Sequence, residues 1–151
     1  MTVVRGDAVV PGGAVGEALV ADVPLSLWGG LDPETGDVID RHHPLSGRRI
    51  TDRVLSIPAG RGSCSASGVL LEAIRAGTGP AAIILSHPDP IIALGAILGG
   101  ELYKRVVPVV VLSEEDRSRI TDGTIVHVGS DGSVTLETLS SLTESGPGNP
   151  E

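Results

Sequence analysis

Between Ala59 and Ser65 the chain reads Ala-Gly-Arg-Gly-Ser-Cys-Ser, and this run lies between a short apolar segment, Arg53–Pro58, and a helical pattern from about Ala66 to Ala76. A strand that passes through such a loop into a helix presents unpaired backbone N–H groups at a helix N-terminus, where negative charge is stabilised. Gly60 and Gly62 allow close approach, Arg61 adds a fixed cation, and Ser63 and Ser65 add hydroxyls. The same residues also fit a plainer reading, with a serine as N-cap and the glycines making the turn. The lysine and spacing of a Walker A loop are absent, and G-x-G without a third glycine is a weak dinucleotide signal. No local spacing ties His42, His43, His87 or His127 to Ser63 as a Ser-His-Asp triad would require.

Four other positions have chemical capacity. Cys64 is either a thiol activated by the helix start or, more simply, a small buried hydrophobe. Asp89, between Pro88 and Pro90, is placed to N-cap a second helix. It also follows a strand, as Ser63 does, and ligands of α/β sheets bind beyond the carboxyl ends of strands. Ser63 and Asp89 are therefore expected to face one crevice. His42 and His43 are adjacent, so they point apart and lack the i, i+4 spacing of a helical metal pair. Trp28 is expected to be the one large core residue, with capping a pocket as its other reading.

The elements that must position these residues follow from periodicity. Arg53–Pro58, Ala81–Ser86 and Val106–Leu112 are short apolar runs suited to buried strands, and patterns over Ala66–Ala76 and Ile91–Tyr103 are helical. Gly77 is a natural C-cap. The alternation β-α-β-α-β predicts a parallel sheet with right-handed crossovers. Val3–Val10 and Gly16–Asp22 read as strands of a hairpin turned at Pro11-Gly12-Gly13. Gly123–Val128 and Ser133–Leu139 read as another, turned at Ser130-Asp131-Gly132. The expected architecture is an α/β domain over 1–140 with a parallel β-α-β-α-β core and flanking hairpins. Pro24–Thr51 is a long, punctuated loop of the kind that usually has a function, and 141–151 has the composition of an unstructured tail.

Composition narrows the function classes. The 151 residues carry 11 Lys+Arg against 19 Asp+Glu, a formal charge of −8, which repels nucleic acid and anionic membranes. Trp28 and Tyr103 are the only aromatic side chains, so recognition by base stacking is nearly excluded. The single cysteine cannot form an internal disulfide or hold an iron–sulfur cluster alone, and it reads as cytosolic. The N-terminus lacks the pattern of a secretion signal. The apolar stretch Pro90–Gly100 is too short for the roughly 20 residues a membrane span needs.

Three segments in order, GEALVADVPLSLWGGLDPETGDVIDRHHPLSGRRI, RVLSIPAGRGSCSASGVLLEAI and GPAAIILSHPDPIIALGAI, resemble the small subunit, or swivel domain, of aconitase X, a branch of the aconitase superfamily of iron–sulfur dehydratases. The resemblance runs from about Gly16 to about Val111. It implies a swivelling β/β/α domain that docks on a large catalytic subunit, with that subunit binding most or all of an iron–sulfur cluster. It also implies that Ser63 is the base taking the proton next to a carboxylate, with Ser65 and Ser67 as fallbacks for the register. The partner's iron would act as Lewis acid on the leaving hydroxyl. Arg61, Gly62, Cys64, Ser65, His43 and Asp89 would surround the substrate, His43 being favoured over His42. The family's substrates are small hydroxy acids, cis-3-hydroxy-L-proline in bacterial-type members and 5-phosphomevalonate in archaeal-type ones. The GRGSCSASGVLLE and HHPL segments resemble the bacterial pattern. Two readings of other classes stand beside it: a stand-alone anion-binding module, and a non-catalytic homo-oligomer packed through the small-residue helix Ile91–Gly100.

Overall fold

The computed structural model describes residues 1–61 and 64–137. Gly62, Ser63 and the expected tail 141–151 lie outside the described residues. The elements are β1 (Thr2–Arg5), β2 (Asp7–Val10), β3 (Ala14–Val20), the turn α1 (Leu27–Gly30), β4 (Val54–Ser56), α2 (Ala66–Ala76), β5 (Ala82–Leu85), α3 (Pro90–Tyr103), β6 (Val109–Val111), α4 (Glu114–Arg117), β7 (Ile125–Val128) and β8 (Ser133–Leu136).

Strands β4, β5 and β6 are short runs rich in Val, Ile and Leu and buried on both faces, the signature of a parallel sheet covered on each side. They pair in parallel, joined by α2 and α3. Gly77 adopts the left-handed conformation, φ 80°, and ends α2 as expected. The β7–β8 hairpin also forms.

The N-terminal hairpin does not form. Val3–Val10 splits at Gly6 into β1, which pairs with β8, and β2, which pairs with β6. Strand β3 instead pairs with β7 through Ala14–Glu17 and in parallel with β4 through Ala18–Val20. Pro11-Gly12-Gly13 thus carries the chain from a sheet edge to the middle of the sheet. The strand order is β1-β8-β7-β3-β4-β5-β6-β2, which puts two strands separated only by Gly6 at opposite ends. The sheet must curl until those ends meet at a corner. There Gly6 N–H donates to the Gly132 carbonyl at 3.0 Å, and a Cβ on Gly6 would run into the Val111 carbonyl and the Leu112 side chain. The sheet is thus mostly closed, with β1 and β2 meeting at this corner without pairing to each other.

Alternate residues of the central strands feed two cores. Leu19, Leu55, Ile83, Leu85 and Val109 face α2, α3 and the apolar residues of the long loop, including Leu25, Leu27, Leu45 and Ile50. Ala18, Val54, Ala82, Ile84 and Val110 face Val4, Val126, Val134 and Leu136. The small residues Gly95 and Gly99 pack against Leu70 and Ile74 of α2, so these glycines serve the contact between the two helices, while Leu94 and Ile97 of α3 stay exposed.

Polar ties anchor the long loop to the frame. Arg48 Nη1 donates to Asp122 Oδ2 at 3.0 Å, and Val20 N–H donates to Asp122 Oδ1 at 2.9 Å. Partial burial alone would raise the Asp122 pKa, but the Val20 N–H and the Arg48 guanidinium outweigh it and hold the carboxyl below its ordinary value. Asp37 is held low chiefly by Arg49. Asp131 is held low by the Ser133 hydroxyl and N–H together with Arg5. A carboxyl whose folded pKa is depressed stabilises the fold above its unfolded pKa, and that stability is lost as pH falls through the folded value. The melting temperature, followed by circular dichroism, is therefore expected to be flat from about pH 7 to about pH 5 and to fall below about pH 4. Asp122→Asn should flatten the acid limb.

Candidate functional site

The parallel strands β4 and β5 end at Ser56 and Leu85 and deliver their loops to the same edge of the sheet. The Pro58 carbonyl accepts from the Ser86 and His87 N–H groups, both at 3.0 Å. Gly60 N–H donates to Asp89 Oδ2 at 3.0 Å, while Asp89 Oδ1 accepts from Ile91 and Ile92 N–H at 3.0 and 3.1 Å. Asp89 is thus the N-cap of α3 and also ties the glycine loop to that helix. On its other side the loop is held by the Leu25–Gly60 bridge and by Leu25 N–H donating to the Ala59 carbonyl at 3.2 Å. The expected meeting of the two loops at one crevice is what the backbone shows up to Arg61. Ser63 itself lies outside the described residues.

This anchoring makes Asp89 a testable position. Asp89→Asn keeps one capping oxygen but turns an amide NH₂ or loses an acceptor toward Gly60, and Asp89→Ala removes both roles. Loss of a cap typically costs about 0.5–2 kcal/mol. The expected result is a destabilisation of about 1–3 kcal/mol for Asp89→Ala, measured by urea unfolding, with Asp89→Asn intermediate.

Arg61 is exposed, and among the described residues its guanidinium has no hydrogen-bond or ion-pair partner. Cys64 is an exposed free thiol, so the buried-hydrophobe reading does not hold. Ser65 occupies the N-cap position of α2. Ser67 Oγ donates to the Ile91 carbonyl at 2.6 Å and pins α2 to α3.

Two clefts flank Arg61. A smaller one, about 120 Å³, lies among Leu27, Gly60, Ala66, Asp89 and Ile92. A larger one, about 370 Å³, is lined by Val23, Ser26, Asp40, His42 and His43 together with Arg61. His43 is 6% exposed; its Nδ1 accepts from Leu45 N–H at 3.1 Å and its Nε2 lies 3.2 Å from the Val23 carbonyl. His42 is exposed, and the Asp40 carboxylate accepts its backbone N–H at 3.0 Å. The two rings thus differ in burial, although both line the larger cleft.

Trp28 departs from expectation: it is 59% exposed and does not lie in the core. The α1 turn is broken at Trp28-Gly29, where Gly29 has φ 81°, so Leu27 and Gly30 turn inward and the indole outward. Two contributors escaped the sequence reading. Ser26 and Asp40 line the larger cleft, and the only available signal was Asp40 two residues before His42, the spacing of an Asx turn.

Among the described residues no group of three or more His, Cys, Asp or Glu is placed to hold a metal ion. An iron–sulfur cluster needs several thiolates, and Cys64 is the only cysteine. These residues do not fit such a cluster, and any cluster at the site would take most or all of its ligands from outside them. No helix among the described residues is long and apolar enough to cross a membrane.

Comparison with known proteins identifies the family of this fold. Residues 3–137 match the family described as the aconitase X swivel domain. The chain is 57% identical over 105 residues to a cis-3-hydroxy-L-proline dehydratase of Pseudomonas aeruginosa; the match covers 70% of this chain and 18% of that protein. The chain thus spans less than a fifth of that relative's length. It is 52% identical over 85 residues to a phosphomevalonate dehydratase small subunit of Methanothermobacter thermautotrophicus, covering 56% of this chain and 65% of the relative. The crystal structure of Thermococcus kodakaraensis aconitase X in its holo form superposes with a TM-score of 0.83 at 32% identity, covering 91% of this chain and all of that one. The chain belongs to the aconitase X swivel domain family.

Proposed function

We propose that this chain is the small subunit of a two-subunit hydro-lyase of the aconitase X family, acting in the cytoplasm on cis-3-hydroxy-L-proline. The observation that supports it most is the glycine loop after β4. It is fixed by Leu25 on one side and Asp89 on the other, and it leaves Arg61 without a partner among the described residues beside an open cleft. In this reading Ser63 is the general base. Its alkoxide takes the proton from the carbon bearing the carboxylate, the C–H electron pair forms the new double bond, and the hydroxyl on the neighbouring carbon departs with its bonding pair as hydroxide. That hydroxide and the proton taken up by Ser63 together make up the one water released. A serine hydroxyl is a very weak acid, so this role needs nearby positive potential. Arg61 and the N-terminal end of α2 supply it. Arg61 also suits a substrate carboxylate, whose neutralisation makes the adjacent proton easier to remove. Gly62, Cys64 and Ser65 would line the same pocket, and Asp89 would act by holding the loop. The large subunit would provide any iron–sulfur cluster, since this chain has no thiolate set for one.

The 52% identity to a phosphomevalonate dehydratase small subunit supports a second substrate, 5-phosphomevalonate. The test is the assembled enzyme's kcat/KM for each compound, measured anaerobically. A ratio favouring cis-3-hydroxy-L-proline by at least about 10²-fold, roughly 2.7 kcal/mol of discrimination, is expected. A ratio favouring 5-phosphomevalonate exchanges the two readings, and no turnover of either removes both.

A further inference from the structure

We infer that His42, the exposed member of the histidine pair, contacts the substrate and helps set specificity together with Arg61, while His43 only holds the loop that carries it. The inference rests on the functional reading above and adds a residue to its site.

The two rings differ in what their nitrogens already do. His43 Nδ1 accepts the Leu45 N–H, which places the ring proton on Nε2, where it donates to the Val23 carbonyl. Both nitrogens are spent inside the protein, and the ring is buried. A group in that state has no donor or acceptor left for a ligand. The His42 ring makes no hydrogen bond among the described residues. Its backbone is nonetheless fixed, because the Asp40 carboxylate holds its N–H and the Asp40 carbonyl accepts from His43 N–H at 3.2 Å. The imidazole is therefore an uncommitted side chain on a braced turn, which suits ligand recognition.

The surroundings indicate what it would recognise. The cleft of about 370 Å³ that holds His42 also holds Arg61 and Ser26. Ser26 Oγ donates to the Trp28 carbonyl at 2.9 Å, which leaves its oxygen as an acceptor only. An imidazole N–H and a guanidinium lining one cleft provide two donors of different shape. That pairing fits an oxyanion such as a carboxylate, with Arg61 providing the charge and His42 a directional hydrogen bond. The Asp40 carboxylate faces the same space and limits how much negative charge the cleft accepts. Mutating His43 acts through the turn and the core; mutating His42 acts on the ligand alone.

The experiment uses the complex with the large subunit. Wild type, His42→Ala, His42→Gln and His43→Ala are compared for kcat and KM with cis-3-hydroxy-L-proline and for melting temperature. His42→Ala is expected to raise KM about 10–100-fold, the usual range for losing one hydrogen bond to a charged group. Its melting temperature should match wild type, and His42→Gln, which keeps an N–H donor, should recover part of the loss. His43→Ala is expected to lower the melting temperature. An active wild type with an unchanged KM in His42→Ala overturns this inference alone. A wild-type complex inactive on this substrate overturns the functional reading and this inference with it.

Discussion

Ser63→Ala is expected to lower kcat of the assembled enzyme by about 10²–10⁴-fold, the range that a positioned general base contributes, without preventing association with the large subunit. Gly60 is tied to Asp89, and Leu25 pairs along Ala59-Gly60, so the chain enters the loop in a defined direction. Alanine removes a hydroxyl and leaves these ties intact. KM should move less than kcat, because a base acts on the transition state more than on the bound substrate. Ser67→Ala is the informative control. Its hydroxyl is committed to the Ile91 carbonyl, so that change should lower stability and spare the chemistry. If Ser63→Ala instead abolishes assembly, Ser63 holds structure and the base must be sought elsewhere.

Arg117→Ala is expected to destabilise the domain by about 2–4 kcal/mol. The side chain is 3% exposed. It donates to the Ala21 carbonyl at 3.1 Å, to Ser56 Oγ at 3.3 Å and to Asp22 Oδ1 at 3.2 Å, and its Nε has no partner among the described residues. Truncation leaves the fully buried Ser56 hydroxyl without this donor and opens a cavity where the guanidinium sat. Asp22 is 89% exposed and returns to water at little cost, so Asp22→Ala should change stability by less than about 1 kcal/mol. For a domain of this size the Arg117→Ala loss corresponds to a melting shift of about 5–15 °C. A shift below about 2 °C would show that water replaces the lost contacts. Arg117 clamps the ends of β3 and β4, from which the Leu25 and Gly60 segments depart, so loop order should suffer with it.

Those two sites also mark what the sequence made legible and what it hid. The β4-α2-β5-α3-β6 core could be read because each strand is a continuous apolar run, α2 has a helical period, α3 is a long run rich in small apolar residues, and each helix has a cap, Gly77 for α2 and Asp89 for α3. Local chemistry of this kind is visible in one dimension. Pairing of the N-terminal strands was not, since only the closing of the sheet sends β1 and β2 to opposite ends, and a lone Gly6 inside an apolar run gives little notice of a corner. Arg117 was invisible for a similar reason. An Arg in the acidic segment Ser113-Glu-Glu-Asp-Arg reads as solvated surface until the fold brings Ala21 and Ser56 to it. Trp28 misled because size argues for burial, whereas Gly29 breaks the turn and faces the indole outward. Within the site, the sequence located the loop and both strand ends. It could not tell which histidine of the pair was spent, because that depends on Val23 and Leu45 closing around one ring.

The central claim is that this chain is one half of a shared active site. The most direct measurement is to purify this chain and its large subunit separately under anaerobic conditions and assay each alone, and then the mixture, for water elimination from cis-3-hydroxy-L-proline. The account predicts no turnover by either chain alone and turnover on mixing that saturates as this chain is added. Full activity of the large subunit alone, or failure of the two chains to associate, would contradict it and leave the glycine loop as a stand-alone anion-binding feature.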